Sequence, residues 1–308
     1  MLQSLDKSRS RFLKQLMCLV FIGQLVTNIA QAQVATIQNQ YYLNPYIYNP
    51  ALLGSNDHTQ LFLGVKKQWT GVEGAPMVAT FTYEKPLENR ASIGGRLVNV
   101  SEGPINSLSA QATLGYRLEV GLESYLNFGM SLGFIYNAFN ANALDAANDP
   151  LVQEQNNGVF NFDGGVGFSY HSGGLQLGLA LPQFAAPRPF ANNNDPQTNY
   201  SPWDYLIGSI VYKIEPDLDW ELVPMFLYHI QKGFNHQWEV ALKTIYQKKV
   251  TIGGIYRQNA GLTAFAGFNL SDRFGFHYLY SFSSPTAQLP NDSHELVLRL
   301  VIGEQIKR

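Results

Sequence analysis

Ser293-His294-Glu295 sets the residue types of a hydrolytic site side by side: a hydroxyl nucleophile, a general base and a carboxylate to orient it. The surrounding pattern argues against that chemistry. Residues 293–302 alternate between polar and apolar, which makes a strand, and neighbouring strand residues point to opposite faces. Ser293 and Glu295 then share one face while His294 turns away. The six histidines are dispersed, and none shows a ligand spacing such as His-x-x-x-His. Gly164-Gly165-x-Gly167 resembles a nucleotide fingerprint only in its glycines, because no helix follows it. We therefore expect no catalytic residue, no cofactor site and no metal site.

The other residues with chemical potential are charges that fall on one face of their strands. Lys66, Arg96, Arg117, Lys243, Arg257 and Arg299 share that face with Asp163, Glu221, Glu239 and Glu295. Glu239 and Lys243 lie four apart on one strand, with Arg257 on the next. Mixed signs fit neither a strong anion filter nor a strong cation filter. The plainer expectation is a set of neutralising pairs in a low-dielectric interior; the functional alternative is a selectivity constriction.

The elements that must carry these side chains are extended throughout. In Ser124–Asn137, Leu126, Phe128, Met130, Leu132, Phe134 and Tyr136 form one face, and Asn127, Gly129, Ser131 and Gly133 form the other. Strict period two with a bulky apolar face and a small polar face is the signature of a transmembrane β-barrel strand, lipid outside and lumen inside. We predict strands near 59–68, 75–84, 91–100, 107–118, 123–137, 157–170 and 173–180. Seven more are predicted near 202–213, 218–228, 236–246, 249–258, 260–270, 273–282 and 293–302. The fold class is all-β, an antiparallel up-and-down barrel of about 14 strands, an even number as in bacterial single-chain barrels. Tight turns alternate with the connections that include Ala138–Asn156, Leu181–Ser201 and Ser283–Asp292. All three long loops thus fall on one side, which outer-membrane barrels turn to the exterior. Glycines crowd the inward face and leave room for water, a plug or a segment.

Composition agrees. The 308 residues carry a net charge of −2, with 14% charged and 13% aromatic residues, which suits a barrel wall with aromatic girdles and offers no nucleic-acid footprint. Lys7, Arg9, Arg11 and Lys14 precede an apolar run, and Ala30-Gln31-Ala32 ends it as a cleavage site. The expected organisation is a cleaved signal peptide over 1–32, a periplasmic lead-in segment over 33–58 and the barrel over 59–308. Cys18 is the only cysteine, so the processed chain has no disulfide and no thiolate. Tyr41, Tyr42, Tyr46 and Tyr48 stand in the lead-in, which prolines interrupt. We expect it to rest at the interface or cap the barrel floor, or to dock a periplasmic partner.

Asn49-Pro50-Ala51…Gly54, then Lys67-Gln68-Trp69-Thr70-Gly71, then Gly74-Ala75-Pro76 occur in the order found at the start of the PorP/SprF family. Ile93-Gly94-Gly95, Leu181-Pro182-Gln183-Phe184, Gly254-Ile255-Tyr256-Arg257 and Ser293-His294-Glu295-Leu296 extend the resemblance over nearly the whole processed chain. Lys67 stands where the family has Arg, and Gln183 where it often has His. The resemblance implies a non-enzymatic outer-membrane protein of the type IX secretion and gliding-motility machinery of Bacteroidota. It implies partners too: outer-membrane lipid, and a secreted adhesin with a type B C-terminal domain or periplasmic subunits of the apparatus. Candidate partner-binding or plug residues are Asn49, Pro50 and Gly54 before the barrel, and Gln68, Trp69, Gly71, Ala75 and Pro76 in the first outer loop. A passive porin-like diffusion channel is the alternative.

Overall fold

Alternation closes the wall. In the computed structural model, which describes residues 38–139, 158–184, 202–232, 235–258, 260–282 and 292–303, fourteen strands form a closed antiparallel barrel. They are β1 Thr59–Lys67, β2 Met77–Pro86, β3 Ala91–Glu102, β4 Ile105–Glu119, β5 Ser124–Phe139, β6 Val159–Ser172 and β7 Leu175–Leu181. The wall continues with β8 Tyr205–Tyr212, β9 Trp220–Gln231, β10 Gln237–Tyr246, β11 Val250–Arg257, β12 Gly261–Asn269, β13 Phe274–Ser281 and β14 Ser293–Ile302. Every strand pairs with its sequence neighbours, and β14 returns to β1 with Lys66 opposite Glu295. Closure leaves no sheet edge, which a lipid-exposed sheet requires.

The outward face is apolar. Leu114 is 69% exposed, Leu132 60% and Phe162 71%, values that mark a membrane-facing surface when they recur on successive strands. Aromatic pairs bracket that band. Trp220 meets Tyr246 at 4.6 Å on the short-turn side, and Trp238 meets Tyr256 at 5.5 Å on the long-loop side. No helix among the described residues is long and apolar enough to cross a membrane. The tight turns 87–90, 120–123, 213–219, 247–249 and 270–273 lie at one end, which the barrel convention makes periplasmic. Most of the three long loops, and the segment expected to be a signal peptide, lie outside the described residues.

The lumen is not lined as the sequence led us to expect. Glycine and small polar residues do face inward from β3 to β7. From β8 round to β14 and β1, by contrast, Ile207, Met225, Leu227, Ile255, Phe265, Leu279 and Val297 turn inward and are buried. An apolar interior wall needs an apolar occupant, since water gains nothing there.

Candidate functional site

The occupant is the segment before β1. Its sequence repeats Asn-Pro at Asn44-Pro45 and Asn49-Pro50, and each proline opens a single 3-10 turn, Pro45–Ile47 and Pro50–Leu52; another turn, Asn39–Tyr42, precedes them. Proline suits that position because its fixed φ is already helical and its missing N–H has no partner to lose. Asn49 is extended, and its side-chain oxygen accepts from Ala51 N–H at 2.9 Å. Gly54 then takes a left-handed φ of 64°, a conformation glycine adopts without steric cost, and the chain leaves for β1.

Residues 38–54 therefore fill the barrel, where the sequence placed a lead-in at its floor. The physical reason is complementarity with both walls. Tyr41, Tyr42, Tyr48 and Leu52 are buried in one cluster with the apolar β8–β14 wall. Tyr42 stacks on Phe265 at 3.8 Å, and its hydroxyl lies 3.3 Å from His277 Nδ1. On the opposite side, Asn49 and Pro50 press onto the glycines of β5, β6 and β7. A Cβ on Gly129 would lie 2.2 Å from the Pro50 carbonyl, and one on Gly167 would lie 2.0 Å from Asn49 Oδ1.

The plug is neutral and the wall is charged. Gln38 to Gly54 contains no Asp, Glu, Lys, Arg or His. Burial, reinforced by the Glu239 carboxylate, pushes the Tyr41 phenol well above its ordinary range, and burial pushes Tyr48 up to about 12. Wall charges therefore grip the plug through its main chain. Glu295 accepts from Asn39 N–H at 3.2 Å and Gln40 N–H at 3.1 Å. Glu84 accepts from Gly54 N–H at 3.0 Å, Lys243 Nζ donates to Tyr42 O at 3.2 Å, and Arg96 donates to Ile47 O. Neutral contacts complete the seat: Asn44 Nδ2 donates to Thr82 Oγ1 at 2.6 Å, and Tyr46 shares a hydrogen bond of 2.6 Å with Thr113.

The eight candidate lumen charges all face inward, but they are not a set of mutual pairs. Arg257 Nε lies 2.8 Å from Glu239 Oε1, and His229 Nε2 lies 3.2 Å from the same oxygen; sequence reasoning missed that histidine. Lys66 is buried opposite Glu295. Arg117 reaches Asp57 at 3.5 Å and lies over the Tyr125 ring at 4.3 Å. Lys243 does not pair with Glu239; it holds the plug. Arg299 makes no ion pair or hydrogen bond among the described residues. Pairing fails at these two because the strand register sets Lys243 opposite Gly253 and Arg299 opposite Phe62.

The candidate binding residues fall into two places. Asn49, Pro50 and Gly54 belong to the plug. Gln68, Trp69, Gly71, Ala75 and Pro76 form the loop over the outer rim, where Gln68 N–H donates to Pro76 O at 2.9 Å and Thr70 N–H to Asp292 O at 3.2 Å. Trp69 is half-buried there with a positive φ of 48°, and Gly71 and Gly74 also take positive φ. Ser293 and Glu295 are buried inward while His294 faces out, 2.6 Å from the Tyr278 hydroxyl.

A monoaromatic hydrocarbon channel, the TodX deltaS2S3 mutant, superposes with a TM-score of 0.50 at 11% identity, covering 87% of this chain and 94% of its own. The TodX deltaS2 mutant gives 0.50 at 11%, covering 84% and 93%. The outer membrane protein Omp33 of Acinetobacter baumannii gives 0.47 at 6%, covering 80% and 99%. At 11% identity the likeness to the two hydrocarbon channels is one of fold. No curated protein matches the sequence. The family of type IX secretion system membrane proteins PorP/SprF matches residues 30–300. With the strand wall, its outward apolar band and the seated Asn49-Pro50-Ala51 all inside that span, this chain is an outer-membrane β-barrel that belongs to the PorP/SprF family.

Proposed function

We propose that this protein is a closed docking barrel of the type IX secretion apparatus, which supports export or surface attachment of a secreted protein without passing it through its own lumen. The observation that carries this reading is the plug. Residues 38–54 are hydrogen-bonded to β2, β4, β6 and β14 and packed against the remaining apolar wall, so binding must take place on the rims. The outer rim offers the loop over Gln68–Pro76, and the inner rim offers the short turns. The partners that fit are a secreted adhesin with a type B C-terminal domain, periplasmic subunits of the apparatus, or both, in keeping with gliding motility or secretion in Bacteroidota.

The test is a mild-detergent pull-down of the tagged protein from native outer membranes, with mass spectrometry of the proteins that co-purify, paired with planar-bilayer recording of the purified barrel. Recovery of a large secreted protein or secretion subunits, with an electrically silent barrel, is the expected result. A barrel that returns alone and conducts would replace the proposal with a passive channel, the role named for the monoaromatic hydrocarbon channels that share its fold.

A further inference from the structure

The plug has a direction, and one strand measures it. β2 descends from the long-loop end to the short turns, and three successive inward residues on it hold the plug at three heights. Thr80 Oγ1 donates to the Gln38 side-chain oxygen, Asn44 Nδ2 donates to Thr82 Oγ1 at 2.6 Å, and Gly54 N–H donates to Glu84 Oε2 at 3.0 Å. Residues 38–54 thus descend the lumen while β2 advances from Thr80 to Glu84, about 13 Å of strand. The other walls agree. Asn39 Nδ2 donates to Ser281 Oγ at 3.1 Å, and Ser281 is the last residue of β13, which rises to the long-loop end. Glu295, which receives Asn39 N–H and Gln40 N–H, stands just below the outer start of β14. At the other end, a Cβ on Gly94 would lie 2.4 Å from Leu53 Cδ1, close to where β3 leaves its short turn. Asp57 then meets Arg117 at 3.5 Å, close to where β4 enters one.

The start of the plug therefore lies at the outer end of the lumen, and the chain ahead of it has one way to go. It cannot turn back beside the plug, because the lumen there is filled. Tyr41, Tyr42, Tyr48 and Leu52 are at most 2% exposed. A Cβ on Gly64 would lie 2.6 Å from Gln40 Nε2, and one on Gly129 would lie 2.2 Å from the Pro50 carbonyl. It cannot leave sideways through the wall, because the ring of strand pairs is closed, and parting a ladder in lipid leaves main-chain groups without partners.

We propose that the chain ahead of Gln38 leaves the lumen through the outer mouth, so that the amino-terminal segment of the processed protein is displayed on the outside of the cell. The lead-in then reaches the periplasmic end only with its last residues, Ser55–His58. β14 finishes at Ile302 beside the short turns, so the chain enters the lumen on one side of the membrane and leaves the wall on the other. The emerging segment has the outer end of β14 as its neighbour, with the loop over Gln68–Pro76, which Thr70 N–H fastens to Asp292 O at 3.2 Å. A segment placed there is a contact for an extracellular partner and not for a periplasmic one. The assignment holds whether the barrel docks a partner or conducts.

The test is labelling of single cysteines in intact cells with a maleimide that does not cross the outer membrane. Cys18 is the only native cysteine, and Cys18→Ser provides a background without one. Ala35→Cys carries the probe ahead of the plug. Glu73→Cys, exposed in the first outer loop, is the control for the outside, and Leu122→Cys, fully exposed on the turn between β4 and β5, is the control for the periplasm. Heat-dependent mobility on gels shows that each variant is a folded barrel. Ala35→Cys is expected to label on intact cells as Glu73→Cys does, while Leu122→Cys labels only once the outer membrane is permeabilised. Should Ala35→Cys fail to assemble, an epitope inserted directly ahead of Gln38 and read with antibody on intact cells decides in its place. A probe reached only after permeabilisation, or only after the barrel is unfolded, overturns the proposal.

Discussion

Gly129→Ala adds one methyl to the inward face of β5 and puts the seating of the plug to its hardest test. The new Cβ would lie 2.2 Å from the carbonyl carbon and oxygen of Pro50 and 2.4 Å from Ala51 N. Non-bonded carbons settle at about 3.5–4.0 Å, so the plug must retreat by more than about 1 Å. Main-chain atoms have no rotamer by which to escape. Over-packing of this kind costs about 1–3 kcal/mol. The retreat also stretches the hydrogen bond from Asn49 Nδ2 to Phe168 O, already 3.3 Å long, and its loss costs a further ~0.5–1.5 kcal/mol. A loss of about 2–4 kcal/mol in local opening free energy corresponds to exchange faster by about 30-fold to 1,000-fold. Hydrogen exchange read by mass spectrometry should show that loss over residues 38–54, with the strand amides unchanged because their ladder is untouched. Gly208→Ala is the control, since no atom lies within 4 Å of its added Cβ. If Gly129→Ala leaves protection of 38–54 at the wild-type level, the plug does not rest on β5 and the reasoning fails.

Glu295→Gln removes the charge that holds Asn39 N–H and Gln40 N–H. It should expose the first turn of the plug by about 1.5–3 kcal/mol, as for hydrogen bonds to charged groups, while Asn49–Leu52 stays protected; exchange lost evenly over the plug would contradict this. Glu239→Gln removes the buried carboxylate charge that both Arg257 and His229 face, and breaking a buried pair costs about 3–5 kcal/mol. Thermal unfolding should show the drop, against little change for Arg90→Gln, whose partner Glu119 is a surface residue. Trp69→Ala should leave folding intact and reduce co-purification of the partner. Unchanged recovery would take Trp69 out of the binding site.

Wall and plug were unequally legible because they obey different rules. In β5 and β6 a bulky face alternates with glycine, serine and asparagine, and a period of two assigns each residue its side without further information. From β8 to β14 that contrast fades. Leu227 and Phe226 are both apolar, yet the first is buried and the second faces out, and the alternation alone does not say that the lumen beside Leu227 is filled. The plug has no period at all. Its prolines show only that it is not a strand, and a short non-strand segment rich in tyrosine fits a membrane interface as well as an interior. The one legible hint lay elsewhere, in Gly129, Gly167 and Gly178 on successive strands, where a wall had given up its side chains to something that approaches closely.

That hint also explains why Asn49-Pro50-Ala51 and the inward glycines form one unit although they lie far apart in sequence. Asn49 caps its own turn with Oδ1 and reaches the wall with Nδ2, while Pro50 presents main-chain atoms that only a glycine surface can receive. A side chain on either partner would break the contact. A plug without charge is the other half of the arrangement. Had residues 38–54 carried a carboxylate, it would have competed with Glu295 or Glu84 for the few buried donors, and an unpaired ion inside the barrel is costly. Since the wall binds main-chain groups, the plug's identity resides in its turns and its packing, and its polarity is set by Lys243 and Arg96 at two carbonyls and Glu295 and Glu84 at three N–H groups.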